Sequence, residues 1–515
     1  MITVISLLLF VPVVLITIYY ILHLLEVRRV QHIPGVSYPH ALWLFLFAKH
    51  NNFFMYPRDQ IQLSNDLKDK KVWRITLGRD TWVFTKDPEV IREICVTKHK
   101  DYRRDKNWKK ANMVNTRGNV LVSHGDEWKQ HRLFLNPSFS DVNMKNSYDK
   151  TIIPTVETIF NRWDNKIKSS SGEVNASYDL SCLVADVFGQ VAMSLDYGTV
   201  RDRNLNENVE PLMSLRLKDV TFVTQFLVLF PWGTNLAKFN PKSLSLIPVI
   251  GWILEKVSKT TRDWRGMLVK AVEDRCSGAT TMGSDILSVL SKAILDPFSR
   301  ESDTKFDKED IVSELHVLAS AGLETTTHTL EWVLYYMARN LQVQNKLVQD
   351  IKDTVKSNPI NYESLCDPQL FKYVHAVINE TLRMRGPVPN IWRYTRVDTV
   401  LAGKTIPKDT HVYPMFCLVN KDKEIWGGDA DTFKPERFLD ANIKPHVFSP
   451  FSFGPRACVG KKLAEIQLMH VVVSIFNQYK ISLPESESIA DEMEERMAMT
   501  MGPKDSVYVV VSKRN

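Results

Sequence analysis

Phe451-Ser452-Phe453-Gly454-Pro455-Arg456-Ala457-Cys458-Val459-Gly460 decides how the rest of the chain is read. One cysteine sits between glycines, with an arginine two residues before it. The residues that follow, from about Lys461 to Tyr479, predict an amphipathic helix. A thiolate inside a protein needs N–H donors and a favourable field, and a helix N-terminus offers both. Gly454 and Gly460 are expected to permit backbone geometry and close approach that a Cβ would forbid. Arg456 is placed to pair a carboxylate of whatever the sulfur holds. The segment therefore predicts Cys458 as a thiolate ligand. The other five cysteines, Cys95, Cys182, Cys276, Cys366 and Cys417, form neither a Cys-x-x-Cys pair nor a zinc spacing, and are expected to be small buried hydrophobes.

Upstream, Asp307 is a plausible N-cap for a long helix over about Asp310–Asn340, apolar on several faces as a buried central helix must be. Its middle reads Ala321-Gly322-Leu323-Glu324-Thr325-Thr326-Thr327. Glycine and three threonines each lose up to about 1 kcal/mol against alanine there. A glutamate among apolar neighbours is costly unless satisfied. Such conflict inside a good helix marks function. The competing reading is a solvent-facing Glu324 with threonines bonded back to the preceding turn. Glu380-Thr381-Leu382-Arg383 sets an acid and a base three apart on one helix face, a weak signal alone. Trp128 and Arg132, in Gly125-Asp126-Glu127-Trp128-Lys129-Gln130-His131-Arg132, also share a face.

Taken with the cysteine segment, these motifs resemble the cytochrome P-450 family over roughly residues 30–512. The resemblance implies a mainly α fold with a small β portion, as a single large domain behind an N-terminal transmembrane helix. It implies haem b with Cys458 as axial thiolate, held in a loop that includes Phe451, Gly454, Arg456 and Gly460. It implies a notch for dioxygen at Gly322, a hydroxyl from Thr325 and protons routed by Glu324. Leu323 stands where the family often has histidine. Glu380, Arg383 and Arg437, the last within Phe433-Lys434-Pro435-Glu436-Arg437-Phe438, are implied to form a buried structural network. Trp128, Arg132 and Arg393 are implied partners of the haem propionates. The implied activity is a monooxygenase that hydroxylates a C–H bond. The chain carries no flavin or nicotinamide fingerprint, so electrons must come from outside, from an NADPH-dependent flavoprotein reductase or a cytochrome b-type donor. Lys129, Lys461 and Lys462 are candidate docking cations, with ordinary solvated helix charges as the rival reading.

The implied substrate-contacting segments are Asn107–Val122, Val220–Ile253, Leu315–Leu323, Val388–Trp392 and Ala498–Met501. Val220–Ile253 is apolar and proline-broken, suited either to dipping into a bilayer or to helical core packing. A lipophilic substrate is expected: a steroid or sterol, a fatty acid or a terpenoid. Rival functions are a reductase-independent isomerase or peroxygenase, and a non-catalytic haem or lipid carrier. Intact Glu324 and Thr325 argue against the first.

Ile2 to Leu25 is apolar, and Arg28-Arg29 follows almost at once. About 24 residues at about 1.5 Å each span a bilayer core. No basic region precedes the run, so it reads as a retained anchor rather than a cleaved signal. Basic residues after the span place the body on the cytosolic side, and the resemblance implies that the membrane is that of the endoplasmic reticulum. The expected organisation is an anchor and flank over 1–28, a proline-containing hinge and lead-in over 29–59, and a catalytic domain over 60–515. Across 515 residues, 66 Lys+Arg against 59 Asp+Glu give a net charge of +7. This suits an anionic lipid surface or an acidic partner and is no nucleic-acid signature. Scattered cysteines indicate a reducing compartment. The Lys- and Asn-rich composition gives the microsomal type a faint fungal cast.

Overall fold

The computed structural model describes residues 2–36, 39, 41, 67, 70–77, 80–104, 117–169, 172–201, 248–295, 306–439, 442–486, 492–497 and 500–514, leaving aside the side chains of 2–13, 15–16 and 248–262. Most of the expected hinge and of the apolar stretch 220–253 lies outside this set, as do 107–116 and 498–499. The described chain forms two compact units of discontinuous sequence. One takes 1–105, 389–430 and 444–457; the other takes 106–388, 431–443 and 458–515.

The smaller unit is built on strands. Val72–Leu77 and Asp80–Thr85 pair antiparallel, Val72 opposite Thr85 and Leu77 opposite Asp80, as the sequence pattern predicts, but their burial is continuous over 72–76 and 81–85 rather than alternating, because both faces of the pair are covered. The sheet continues through His411–Pro414, parallel to Asp80–Thr85, then Arg393–Thr395 and Tyr102–Arg103. Below it lies a core of Val30, Ile33, Val72, Val83, Val90, Ile94, Leu401, Ile406 and Val412.

The helix Ile2–Val30 ends on this sheet. Buried Arg74 donates through Nε to the carbonyls of Val30 and Ile33, both at 3.0 Å, closing the helix C-terminus. Thr81 Oγ1 donates to Glu26 at 2.8 Å, and Arg29 Nη1 donates to the Lys408 carbonyl at 3.1 Å. The lower end of the expected anchor is thus bonded to the sheet. Among the described residues no helix is long and apolar enough to cross a membrane.

The larger unit is helical around Lys308–Arg339. Asp307 caps it: its Oδ1 accepts from the N–H groups of Glu309 (2.9 Å) and Asp310 (3.2 Å), and Asp310 returns the bond to Asp307 N–H at 2.9 Å. Ala176–Met193 packs along this central helix, and Pro248–Ser277, Lys372–Arg385 and Lys461–Gln478 surround it. Small antiparallel sheets, Glu173–Asn175 with Tyr508–Lys513 and Tyr479–Ser482, and the hairpin Glu495–Met497/Met501–Pro503, complete the unit. Of the five cysteines expected to be buried, Cys95 and Cys182 are. Cys276 and Cys417 are half-buried and Cys366 is exposed, because helix ends and short turns leave part of their surface uncovered.

His470, buried in the helix Lys461–Gln478, meets the Tyr148 hydroxyl at 3.1 Å through Nδ1. Burial pulls its pKa down from 6.5 to about 4. The unfolded chain therefore binds the proton that the fold refuses between those values. The stability this group contributes is full above pH 6.5 and is lost as pH falls towards 4. Going from pH 7 to pH 5 should cost about 2 kcal/mol through this residue alone. Denaturant midpoints of wild type and His470→Asn at the two pH values will check this, the variant showing the shallower fall.

Candidate active site

In the larger unit, Cys458 opens the helix Lys461–Gln478 and keeps accessible surface. Burial pushes its thiol pKa up. The Gly460 backbone N–H and then the Arg132 charge pull it down. Arg132 lies four residues after half-buried Trp128 on the helix Gly125–Leu135. Its own pKa is lowered by burial and raised by Cys458. Sulfur and guanidinium thus act on one another, as a thiolate requires. Gly460 has φ −85°, and an added Cβ would come no nearer than 3.9 Å to Phe139. It serves as the helix N-cap and N–H donor, and packing among the described residues does not demand glycine there.

The central helix is buried over Ile311–Leu315, Val317–Ala319, Thr326–Thr327 and Thr329–Ala338, but accessible over Ser320–Thr325. Gly322 lies in this window. The nearest neighbour of an added Cβ would be Phe188 at 3.9 Å, an ordinary contact, so packing among the described residues does not demand glycine. Thr325 donates to the Ala321 carbonyl at 2.7 Å, and Thr329 to Thr325 at 2.8 Å. Back-bonding, one half of the competing reading, is therefore real. The other half fails: Glu324 is half-buried, and its Oε2 accepts from Thr500 Oγ1 at 2.8 Å.

Bonds that the sequence motifs do not disclose fasten the window's flank. Glu314, fully buried, accepts from Val120 N–H at 2.8 Å, and His131 Nδ1 lies 2.6 Å from the same oxygen, though poorly aligned for a ring N–H. Burial raises the Glu314 pKa, with His131 acting against it. Arg117 N–H donates to Ser313 at 3.0 Å, and its side chain pairs Asp307 at 2.7 Å. These bonds hold 117–120 on the central helix.

Glu380 and Arg383 are wholly buried and meet as a fork, Nε to Oε2 at 2.7 Å and Nη2 to Oε1 at 2.9 Å. Arg437 Nε reaches Oε1 at 3.3 Å, and Lys434 N–H at 2.8 Å. The three-residue network expected from the motifs is present. Lys129, Lys461 and Lys462 lie on the surface, paired with Asp126 (2.7 Å), Glu465 (3.6 Å) and Asp141 (2.8 Å). Such exposed pairs are weak and exchange readily.

The smaller unit holds the rest of the cysteine segment, since the division falls between Ala457 and Cys458. Gly454 needs to be glycine: φ is +76°, and a Cβ would meet the Cys95 carbonyl at 2.5 Å. Phe453, rather than Phe451, packs on Ile91, Cys95 and Val419; Phe451 is half-buried. Arg393 is buried and donates to the Trp392 carbonyl at 3.0 Å. Arg104 lies within the field of Arg393 and Arg456, and its pKa is driven down by burial and then by those two charges. It keeps some accessible surface although protein crowds it, and its buried Nε finds no hydrogen-bond partner. Among the described residues the Cys95 thiol acts in the opposite direction. Guanidiniums brought this close favour an anion beside them. Arg104 carried no sequence signal. Pairing of Tyr102–Arg103 with Tyr394–Thr395 brings it beside Arg393 from nearly three hundred residues away.

The cations gathered in the smaller unit suit a carboxylate, and the sulfur of the larger unit suits a metal; each taken by itself is a feature of a haem-thiolate protein. Comparison with known sequences agrees. The family model Cytochrome P450 matches residues 37–509, through both units, and the chain belongs to that family. It is 27% identical over 483 residues to cytochrome P450 3A30 of Fundulus heteroclitus, covering 89% of each chain. It is 25% identical over 486 residues to human cytochrome P450 2J2, covering 91% of this chain and 90% of that one. It is 25% identical over 417 residues to an echinocystic acid 23-monooxygenase of Saponaria officinalis, covering 78% and 74%. The protein is an oxidoreductase of the cytochrome P450 monooxygenase kind, and its cofactor is haem b bound through a cysteine thiolate.

Proposed function

We propose that the protein is a membrane-anchored monooxygenase that hydroxylates a lipophilic substrate with electrons from an NADPH-dependent flavoprotein reductase. The observation that carries this reading is the accessible window Ser320–Thr325 in a buried helix, with an acid and a hydroxyl side by side in it. Bound haem supplies dioxygen activation and C–H oxidation. Cys458 holds it, with Gly460 N–H and Arg132 favouring the charged sulfur. By the family resemblance Trp128, Arg132, Arg393 and Arg456 would pair its carboxylates, and Arg104, within the field of Arg393 and Arg456 in the smaller unit, is a further candidate. Thr325 has given its hydrogen to Ala321, so its oxygen offers lone pairs to the window and accepts a hydrogen bond there. Glu324 carries the proton inward, and Gly322 leaves the space.

Ile2–Leu25 followed by Arg28-Arg29 supports a single cytosolic-facing anchor in the endoplasmic reticulum membrane. The sparsely charged stretch Val220–Ile253 supports a steroid, sterol, fatty acid or terpenoid substrate.

The test is reconstitution with flavoprotein reductase and NADPH across a panel of those three classes. A substrate-induced spectral shift and NADPH-dependent product are expected with at least one. Thr325→Ala should keep the haem spectrum, lower product formation on the order of 10²-fold and release peroxide instead. Undiminished coupling in that variant, or product formed without a reductase, would overturn the reading.

A further inference from the structure

We propose that Thr500 is a positioning residue for proton delivery: its hydroxyl fixes the carboxylate of Glu324, and the C-terminal hairpin thereby sets the aim of the acid on the central helix. The inference rests on the reading of Glu324 as the proton carrier.

Thr500 precedes the strand Met501–Pro503 of the hairpin and is almost fully buried. Its Oγ1 donates to Glu324 Oε2 at 2.8 Å. A half-buried carboxylate on a helix has several rotamers, and a charge-assisted bond from a fixed donor selects one of them.

The donor is fixed because the hairpin is fastened on both sides of it. Before Thr500, Glu495 pairs with Arg385 at 2.6 Å, both buried, and Arg385 also bonds Glu492. Met493 N–H donates to the Tyr335 hydroxyl at 2.7 Å. After Thr500, Met501 N–H donates to the Pro387 carbonyl at 2.8 Å. Gly502 lies so close to the His328 ring that a Cβ would come within 2.5 Å of it. His328 is itself held by Glu331 at 2.7 Å. Two of these attachments, Tyr335 and His328, are on the same helix as Glu324. The hairpin therefore keeps register with that helix, and Thr500 keeps register with the acid.

The reduction of dioxygen without substrate reads this arrangement directly. Two electrons and two protons give hydrogen peroxide; four electrons and four protons give two waters. Proton delivery that arrives on aim favours water, and delivery that fails favours peroxide. The experiment measures NADPH consumed, peroxide released and dioxygen used in substrate-free, reductase-reconstituted full-length protein, in H2O and D2O. The variants are Thr500→Val, Thr500→Ala, Thr500→Ser and Glu324→Gln. The infrared carboxylate band of Glu324 in each Thr500 variant, isolated by subtracting the matching protein with Glu324→Gln added, gives a readout independent of turnover.

Thr500→Val and Thr500→Ala should raise the peroxide-to-water ratio on the order of tenfold. They should also shift the carboxylate band and change the solvent isotope effect. Thr500→Ser, which keeps the hydroxyl, should restore the wild-type values to within about twofold. If Glu324→Gln raises the ratio but the valine and alanine variants match wild type in ratio, isotope effect and band, Thr500 has no such role and Glu324 keeps its own. If Glu324→Gln leaves the ratio unchanged, the proton-carrier reading falls and the inference with it.

Discussion

Cys458→Ala is expected to abolish haem binding through sulfur and with it the strongly red-shifted Soret band of the reduced, CO-bound protein. The argument runs from the surroundings of the sulfur. Burial disfavours its charged form, and only the Gly460 N–H and the cations Arg132 and Lys461 oppose that. Such an environment stabilises a thiolate only when a metal completes the charge balance, so sulfur and metal are needed together. Loss of a single outer partner of a metal ligand costs roughly 10–100-fold in affinity. Loss of the ligand itself must cost more than that. Arg132→Ala should fall in the outer-partner range and keep the red-shifted band. Cys458→Ala should show no such band at any haem concentration. The measurement is a haem titration followed by the reduced CO difference spectrum. A wild-type band of the histidine-ligated kind would end the assignment of residue 458.

What the sequence disclosed and what it hid divide along physical lines. The central helix was readable to within about two residues at its start, because Asp307 and Asp310 form a cap out of neighbours in sequence. The strand pair Val72–Leu77 and Asp80–Thr85 was readable for the same local reason. The Glu380–Arg383 fork was visible as a spacing, but its burial and its link to Arg437 were not, because a helix pair three apart is commonplace on surfaces. Arg104 was hidden altogether, and Thr500 was visible as a member of the implied substrate-contacting segment Ala498–Met501 but not as a partner of Glu324. Each acquires its present meaning from a partner distant in sequence, through a strand edge or a hairpin. Two glycines in one segment look alike and differ: Gly454 sits at positive φ against a carbonyl, whereas Gly460 has φ −85° and no described protein atom closer than 3.9 Å to an added Cβ. Backbone dihedrals decide that, and composition does not report them. The threonines show a further limit. Back-bonding and a functional hydroxyl were set against each other as alternatives, yet Thr325 does the first in a way that leaves its lone pairs open to the window.

Glu380→Gln is expected to destabilise the protein by roughly 3–5 kcal/mol. Glu380 is fully buried and receives four bonds: two from Arg383, one from Arg437 and one from Lys434 N–H. The glutamine amide keeps one acceptor oxygen, loses the charge, and turns two donors toward groups that are themselves donors. Arg383, equally buried, then loses the carboxylate it forks with, and the contacts it keeps include only weak ones to the Thr432 carbonyl at 3.4 Å and the Met384 sulfur at 3.0 Å among those described. Arg437 is more peripheral and its bond is longer, at 3.3 Å, so Arg437→Ala should cost less, about 1.5–3 kcal/mol. The ordering Glu380→Gln worse than Arg437→Ala follows from burial alone and holds whatever the absolute scale. A native domain has only about 5–15 kcal/mol to lose, so the first variant should accumulate poorly and bind little haem. A triple replacement of Glu380, Arg383 and Arg437 by apolar side chains separates charge from packing. It removes all three charges together, so it should be less damaging than Glu380→Gln, although it takes partners from the Lys434 N–H and the Thr432 carbonyl. Denaturant midpoints of the three variants against wild type decide the matter. A Glu380→Gln midpoint within about 1 kcal/mol of wild type would mean that water reaches Arg383 and that the network is not buried.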